Sequence, residues 1–117
     1  MFLFITECVH LYDEEEHSLL CYLYPTEDSD ILNNVAKIAF MTRSESMTEN
    51  PRISSGVSTR TSVEIAGLLF DGFTLEESAD ITIYPQYDAD GGVDSERTFV
   101  KQIVQKFIDD GSSDDLV

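Results

Sequence analysis

Basic residues are what this chain has least of for its size. Seven Lys and Arg stand against 23 Asp and Glu in 117 residues, a formal net charge of −16. Gripping phosphates requires cations, so this deficit argues against nucleic acid as a direct ligand. Tryptophan is missing altogether, and two cysteines are too few for a disulfide framework. There is no Asn-x-Ser/Thr sequon either. Reduced thiols in an intracellular, cytoplasmic setting are the expectation, with the nucleus as the other compartment. No apolar run approaches the length of a membrane span, and the apolar start lacks a basic leader and is interrupted by Glu7. A phosphate-binding glycine loop, a nucleophile elbow and a His-Glu-x-x-His pair are all missing. No catalytic residue, metal or cofactor is expected.

What is present is enough for one core. At 42% hydrophobic and 10% aromatic, the chain is too apolar to stay disordered, and a single domain of this length buries about two-thirds of its unfolded surface. The acids are spread along it: residues 1–58 hold ten acids and three bases, residues 59–117 thirteen and four.

Residues 2–12 and 18–24 are β-branched, aromatic or apolar, separated by Asp13-Glu14-Glu15-Glu16-His17, which reads as a β-hairpin with a charged turn. Pro25 and the cluster Thr26-Glu27-Asp28-Ser29-Asp30 after it stop the second strand and offer N-caps. Ile31, Leu32, Val35, Ile38, Ala39 and Thr42 then recur at helical spacing, giving a helix over about 30–42. Residues 43–60 are rich in Ser and Thr and read as a flexible loop. Over 61–80, Val63, Ile65 and Leu69 suit an alternating strand. Thr61-x-x-Glu64 and Thr74-x-x-Glu77 read as capping boxes and favour two short helices, with Asp71-Gly72 between them. Ile81-Thr82-Ile83-Tyr84 then emerges as a strand ended by Pro85. The clearest helix covers about 95–110, where Phe99, Val100, Ile103, Val104, Phe107 and Ile108 share a side and Asp94 or Ser95 can cap the start. The fold class expected is α+β: a small, mostly antiparallel sheet of the hairpin and the strand near 81–84, packed by two or three helices. It forms one domain over 1–111 with a disordered acidic tail at 112–117.

Several constellations invite a chemical reading. Cys8, His10 and Cys21 fall on one face of the expected hairpin, but their spacing matches no paired zinc pattern, and buried thiols explain them better. His17, beside three glutamates, reads as an exposed histidine. The stretch Asp88-Ala-Asp90-Gly91-Gly92-Val-Asp94-Ser-Glu96 alternates carboxylates as calcium loops do. It has Val93 where such a loop needs glycine and Phe99 where it needs its closing acid, so a turn with a helix cap is expected instead.

Residues 62–69 and 72–79 resemble the first two segments of a bacterial helix-turn-helix, and residues 95–107 its recognition helix. A long insertion at 81–94 and only three bases, Arg97, Lys101 and Lys106, on the reading helix set the chain apart from DNA binders. Over the first 43 residues, the hairpin, Tyr24-Pro25 and the helix are similar in layout to longin domains of membrane-trafficking complexes. That resemblance implies a protein-binding scaffold without catalytic residues.

Sixteen net charges match about 27 Å of duplex DNA, on the order of the width of a domain this size. The expected function is therefore a non-enzymatic acidic binding protein, an inhibitor or DNA-mimic-like ligand of a basic, nucleic-acid-handling protein. The first contact cluster comprises Asp13, Glu14, Glu15, Glu16, Glu27, Asp28 and Asp30. The second comprises Glu76, Glu77, Asp88, Asp90, Asp109 and Asp110. The alternatives are a scaffold subunit, longin-like or otherwise, and an acidic or salt-adapted domain, which nine Ile against five Ala fit less well.

Overall fold

Helices carry the whole described architecture. The computed structural model describes the backbone of residues 13–116 and the side chains of residues 14–92 and 94–108. Five α-helices occur there and no strand. The expected α+β class is thereby corrected: the described residues are all-helical, with no sheet.

The first described helix, α1 (Asp13–Leu23), carries four consecutive acids, Asp13, Glu14, Glu15 and Glu16. Its inward stripe runs Glu16, Leu20, Tyr24 at intervals of four, with His17 and Cys21 half-buried beside it. Residues 18–24, expected as the second strand of a hairpin, therefore hold the body and end of α1. The first expected strand, with Cys8 and His10, lies outside the described residues. The uninterrupted apolar run over 19–24 has no period of its own. What organises it is Glu16, an acid that points inward and that a hydrophobic-polar pattern assigns to the surface. Losing the second strand also removes the hairpin on which the longin-like layout stands.

Helix α2 (Ser29–Ser46) starts as expected: the Asp28 carboxylate caps it, accepting from the Asp30 N–H at 2.8 Å. Leu32, Val35, Ala36, Ala39, Thr42 and Arg43 face inward, and α2 packs against α1, α3 and α5, which makes it the central element. The connection to α3 spans 47–58 and is anchored at several points. Ile53 and Val57 are buried, the Val57 N–H donates to Thr42 Oγ1 at 2.9 Å, and the Tyr87 hydroxyl donates to the Ser55 carbonyl at 2.8 Å. The Arg52 guanidinium lies 4.4 Å from the Phe99 ring centre. Gly56 passes so close to α2 that a Cβ there would stand 2.5 Å from the Arg43 Cα.

Helix α3 (Thr59–Phe70) is capped by Ser58, not by Thr61, and buries Thr61, Ser62, Ile65, Ala66 and Leu69. It ends at Asp71, where Gly72 takes φ +107° and lets the Phe73 N–H reach the Leu68 carbonyl at 3.0 Å. Helix α4 (Leu75–Thr82) carries the full Thr74/Glu77 capping box. Residues 81–84, expected as a strand, instead finish α4 and enter a 3₁₀ turn, Tyr84–Gln86, with Pro85 inside it. On a strand Ile81 and Ile83 would share a face. Here Ile83 is fully buried and Ile81 is 53% exposed, as a turn of about 100° per residue requires. After a second 3₁₀ turn, Gly92–Asp94, the Ser95 hydroxyl accepts from the Thr98 N–H at 3.1 Å and starts α5 (Glu96–Leu116). The expected stripe of Val100, Ile103 and Val104 is buried, with Phe99, Phe107 and Ile108 packed against the core.

Candidate functional site

The first predicted cluster divides between interior and surface. Glu16 is completely buried, and its Oε1 lies 2.8 Å from Arg43 Nη1, while Arg43 Nη2 donates to Oε2 at 3.0 Å. Arg43 Nε donates to the Val57 carbonyl at 2.7 Å, and the Thr59 hydroxyl donates to Glu16 Oε1 at 3.0 Å. A bidentate pair with its remaining hydrogen bonds met is the form in which an ion pair tolerates burial. It joins α1, α2 and the start of α3. Glu16 is therefore not a surface contact residue. Glu14 and Glu15 are exposed at the start of α1, and Glu27, Asp28 and Asp30 flank its far end and the start of α2. About 15 Å of helix separates the two groups. Asp13 opens α1, with its side chain outside the description.

The second cluster divides as well. Glu76 and Glu77 join Asp80, Tyr84, Lys101 and Gln105 around a cleft of about 320 Å³. Lys101 Nζ sits 5.3 Å above the Tyr84 ring. Burial, then the charges of Glu76 and Asp80, push the Tyr84 phenol up to about 12. Burial and then Glu96 do the same to Tyr87, also to about 12. Asp88 and Asp90 belong instead to the turn before α5: the Asp88 carboxylate accepts from the Asp90 N–H at 2.9 Å, and its carbonyl from the Arg97 N–H at 3.1 Å. Asp109 and Asp110 lie in α5 with side chains outside the description.

A larger cleft, about 780 Å³, opens between the end of α1, one face of α3 and the end of α4. Glu64, Gly67, Leu68 and Asp71 contribute from α3 and its cap, at the spacing i, i+3, i+4, i+7 that defines a single helix face. Tyr24, Phe70, Ile81 and Thr82 complete it. The Tyr24 and Phe70 rings are tilted at 44° with centres 5.6 Å apart. The Tyr24 ring lies close against α3 at Gly67, where a Cβ would stand 3.0 Å from the Tyr24 hydroxyl. Phe70 is 55% exposed, so the cleft has an apolar floor, an exposed apolar side and carboxylates at its rim.

One arrangement resembles a nucleophile with its base. His17 Nε2 lies 3.1 Å from Ser29 Oγ, with Cys21 Sγ 3.8 Å from the same hydroxyl. The same nitrogen is 3.0 Å from the Ser29 carbonyl, which only a protonated nitrogen satisfies. Nε2 is therefore a donor and does not serve as a base for Ser29. These side chains tie α1 to the first turn of α2. Among the described residues no group of three or more His, Cys, Asp or Glu is placed to hold a metal ion, and no helix is long and apolar enough to cross a membrane.

Glu64, Asp71 and Asp80 are the carboxylates that sequence reasoning missed. Asp80 stands three and four residues after Glu77 and Glu76, so extending the capped helix to Thr82 would have placed all three together. Glu64 and Asp71 fall seven residues apart along the first of the two expected helices and its end, and only the tertiary structure sets an apolar cleft beside them. The α3–turn–α4 unit does have the two helices of the helix-turn-helix resemblance. The three bases after it are engaged differently: Arg97 Nε donates to the Tyr87 carbonyl at 3.1 Å, Lys101 stacks on Tyr84, and Lys106 lies among Met41, Phe99 and Ile103. No protein-family model, no curated protein and no solved structure matches the chain.

Proposed function

We propose that this chain is a non-enzymatic binding protein whose partner is a cationic protein. One observation carries the reading: of the described carboxylates only Glu16 is buried, and it takes Arg43, one of only seven bases, inside with it. The anionic excess is thus delivered to the surface. A positively charged partner gains long-range attraction from such a surface, and close contacts then set its specificity. The free, half-buried thiol of Cys21 suits a reducing intracellular compartment.

Dimensions favour a protein contact over mimicry of a whole duplex. Along the longest extent of 46 Å, sixteen net charges amount to about one per 3 Å, against about one per 1.7 Å for DNA. The apolar cleft supplies what a charged rod lacks. It also favours a second reading, a scaffold subunit held by apolar contact.

Capture from lysate on the immobilised full chain separates the two. Raising salt from about 0.1 M to about 1 M shrinks the Debye length from about 10 to about 3 Å. Basic, nucleic-acid-handling proteins that bind at low salt and leave at high salt support the proposal. Capture indifferent to salt supports the scaffold and overturns it.

A further inference from the structure

The cleft between α1, α3 and α4 names its own occupant. The geometry points to a helical segment of a partner protein, with large apolar side chains on one face and Lys or Arg two turns apart beside them. This inference rests on the reading of the chain as a binder of cationic proteins, and it assigns the place and form of that contact.

Three features select this occupant. Glu64 and Asp71 are seven residues apart on one face of α3, about 10 Å along the axis, with Gly67 and Leu68 between them. A helix laid along that face answers it with the pattern Lys-x-x-Leu-Leu-x-x-Lys, two cations at the same spacing around two apolar anchors. A small molecule is a poor fit, since ligand sites enclose about 70–90% of what they bind, whereas Phe70 and Ile81 are 55% and 53% exposed. A second copy of this chain is a poor fit too. Docked through the same face, it would bring Glu64 and Asp71 against their own counterparts, and among the described residues no Lys, Arg or His lines the cleft to answer them. The half-exposed Phe70 and Ile81 are the apolar area left for an anchor to cover, and the Tyr24 ring, laid against Gly67, forms the floor.

The test is a nuclear magnetic resonance titration of the isotope-labelled full chain with a synthetic helical peptide bearing the Lys-x-x-Leu-Leu-x-x-Lys face. One control peptide has Ser for each Leu, and another has Glu for each Lys. Amide shifts concentrated at Gly67, Leu68, Asp71, Ile81 and Thr82 are expected. The double variant Phe70→Ser, Ile81→Ser should weaken the Leu/Lys peptide by about tenfold or more while leaving the Ser/Lys control unchanged. Independently, Glu64→Lys with Asp71→Lys should weaken the Leu/Lys peptide by about tenfold. All four positions are exposed, and far-UV circular dichroism verifies that each variant remains helical. Shifts scattered over Glu14, Glu15, Asp28 and Asp30, insensitive to the Phe70 and Ile81 changes, overturn the cleft as the site while the cationic-partner reading stands. Equal binding of the Leu/Glu peptide overturns the charge complementarity on which the inference is built. If no Lys-bearing peptide binds at low salt, both the inference and the reading beneath it fall.

Discussion

Replacing Glu16 by Gln keeps the shape of the side chain and removes its charge, taking from the buried Arg43 the carboxylate with which it forms its bidentate pair. Arg43 is 3% exposed and Glu16 0%, so water does not readily take over the lost interaction. Breaking a buried pair from one side costs about 3–5 kcal/mol. A chain of 117 residues has a total stability of about 6–18 kcal/mol, so the change removes a substantial fraction of it. At about 4 °C per kcal/mol, the melting temperature should fall by about 12–20 °C. Exchanging both partners, Glu16→Leu with Arg43→Met, removes both charges. What then remains is the buried Val57 carbonyl without the Arg43 Nε donor, a penalty of about 1–3 kcal/mol, while the Thr59 hydroxyl loses Glu16 as its acceptor but is half-exposed and can turn to water. The double variant should therefore be as stable as Glu16→Gln or more so, a non-additivity that a double-mutant cycle measures directly. Urea unfolding followed by far-UV circular dichroism gives both numbers. A loss below about 1 kcal/mol for Glu16→Gln would refute the reasoning, as would a double variant that loses the sum of the single changes.

Gly56→Ala should destabilise by about 3 kcal/mol or more in thermal unfolding, because its Cβ meets backbone of α2 at 2.5 Å. Gly67→Ala meets only the Tyr24 hydroxyl, at 3.0 Å, and should be neutral or stabilising by up to about 1 kcal/mol through helix propensity. Ser62→Ala should stabilise by about 1 kcal/mol, since the Ser62 hydroxyl is buried and has no hydrogen-bond partner among the described residues; a loss of stability in urea unfolding would contradict this. Tyr84 and Tyr87 are raised from 10.0 to about 12 in the fold. The unfolded chain therefore gives up these protons first, and their contribution to stability is complete below pH 10.0 and lost between there and about 12. Ultraviolet titration of the folded protein should show phenol ionisation near pH 12 that disappears when Tyr84 and Tyr87 are both replaced by Phe, and a phase near 12 that survives in that double variant would contradict the assignment.

The parts of the fold visible in the residues are those set by local chemistry. The Thr74/Glu77 box, the Asp28 cap, the Gly72 stop and the Val100-Ile103-Val104 stripe each depend on atoms within a turn or two, so short-range pattern reveals them. The expected sheet fails for a complementary reason. Over 18–24 and 81–84 the apolar runs are too short to show whether their period is 2 or 3.6, and contacts distant in sequence decide between the two. The second predicted acid cluster is divided for the same reason: Glu76 and Glu77 find Asp80 on α4, while Asp88 folds back on its own turn.

By itself, the sequence determined the anionic excess, the shortage of bases and the Thr74 and Ser95 caps, because composition and local hydrogen bonding need no partner far along the chain. Tertiary structure alone decided that Glu16 goes inward, 27 residues from the arginine that neutralises it, and that Glu64 and Asp71 flank an apolar cleft with Tyr24 at its floor. A carboxylate is a surface group or a core group according to what stands opposite it, and that opposition exists only after the chain has folded.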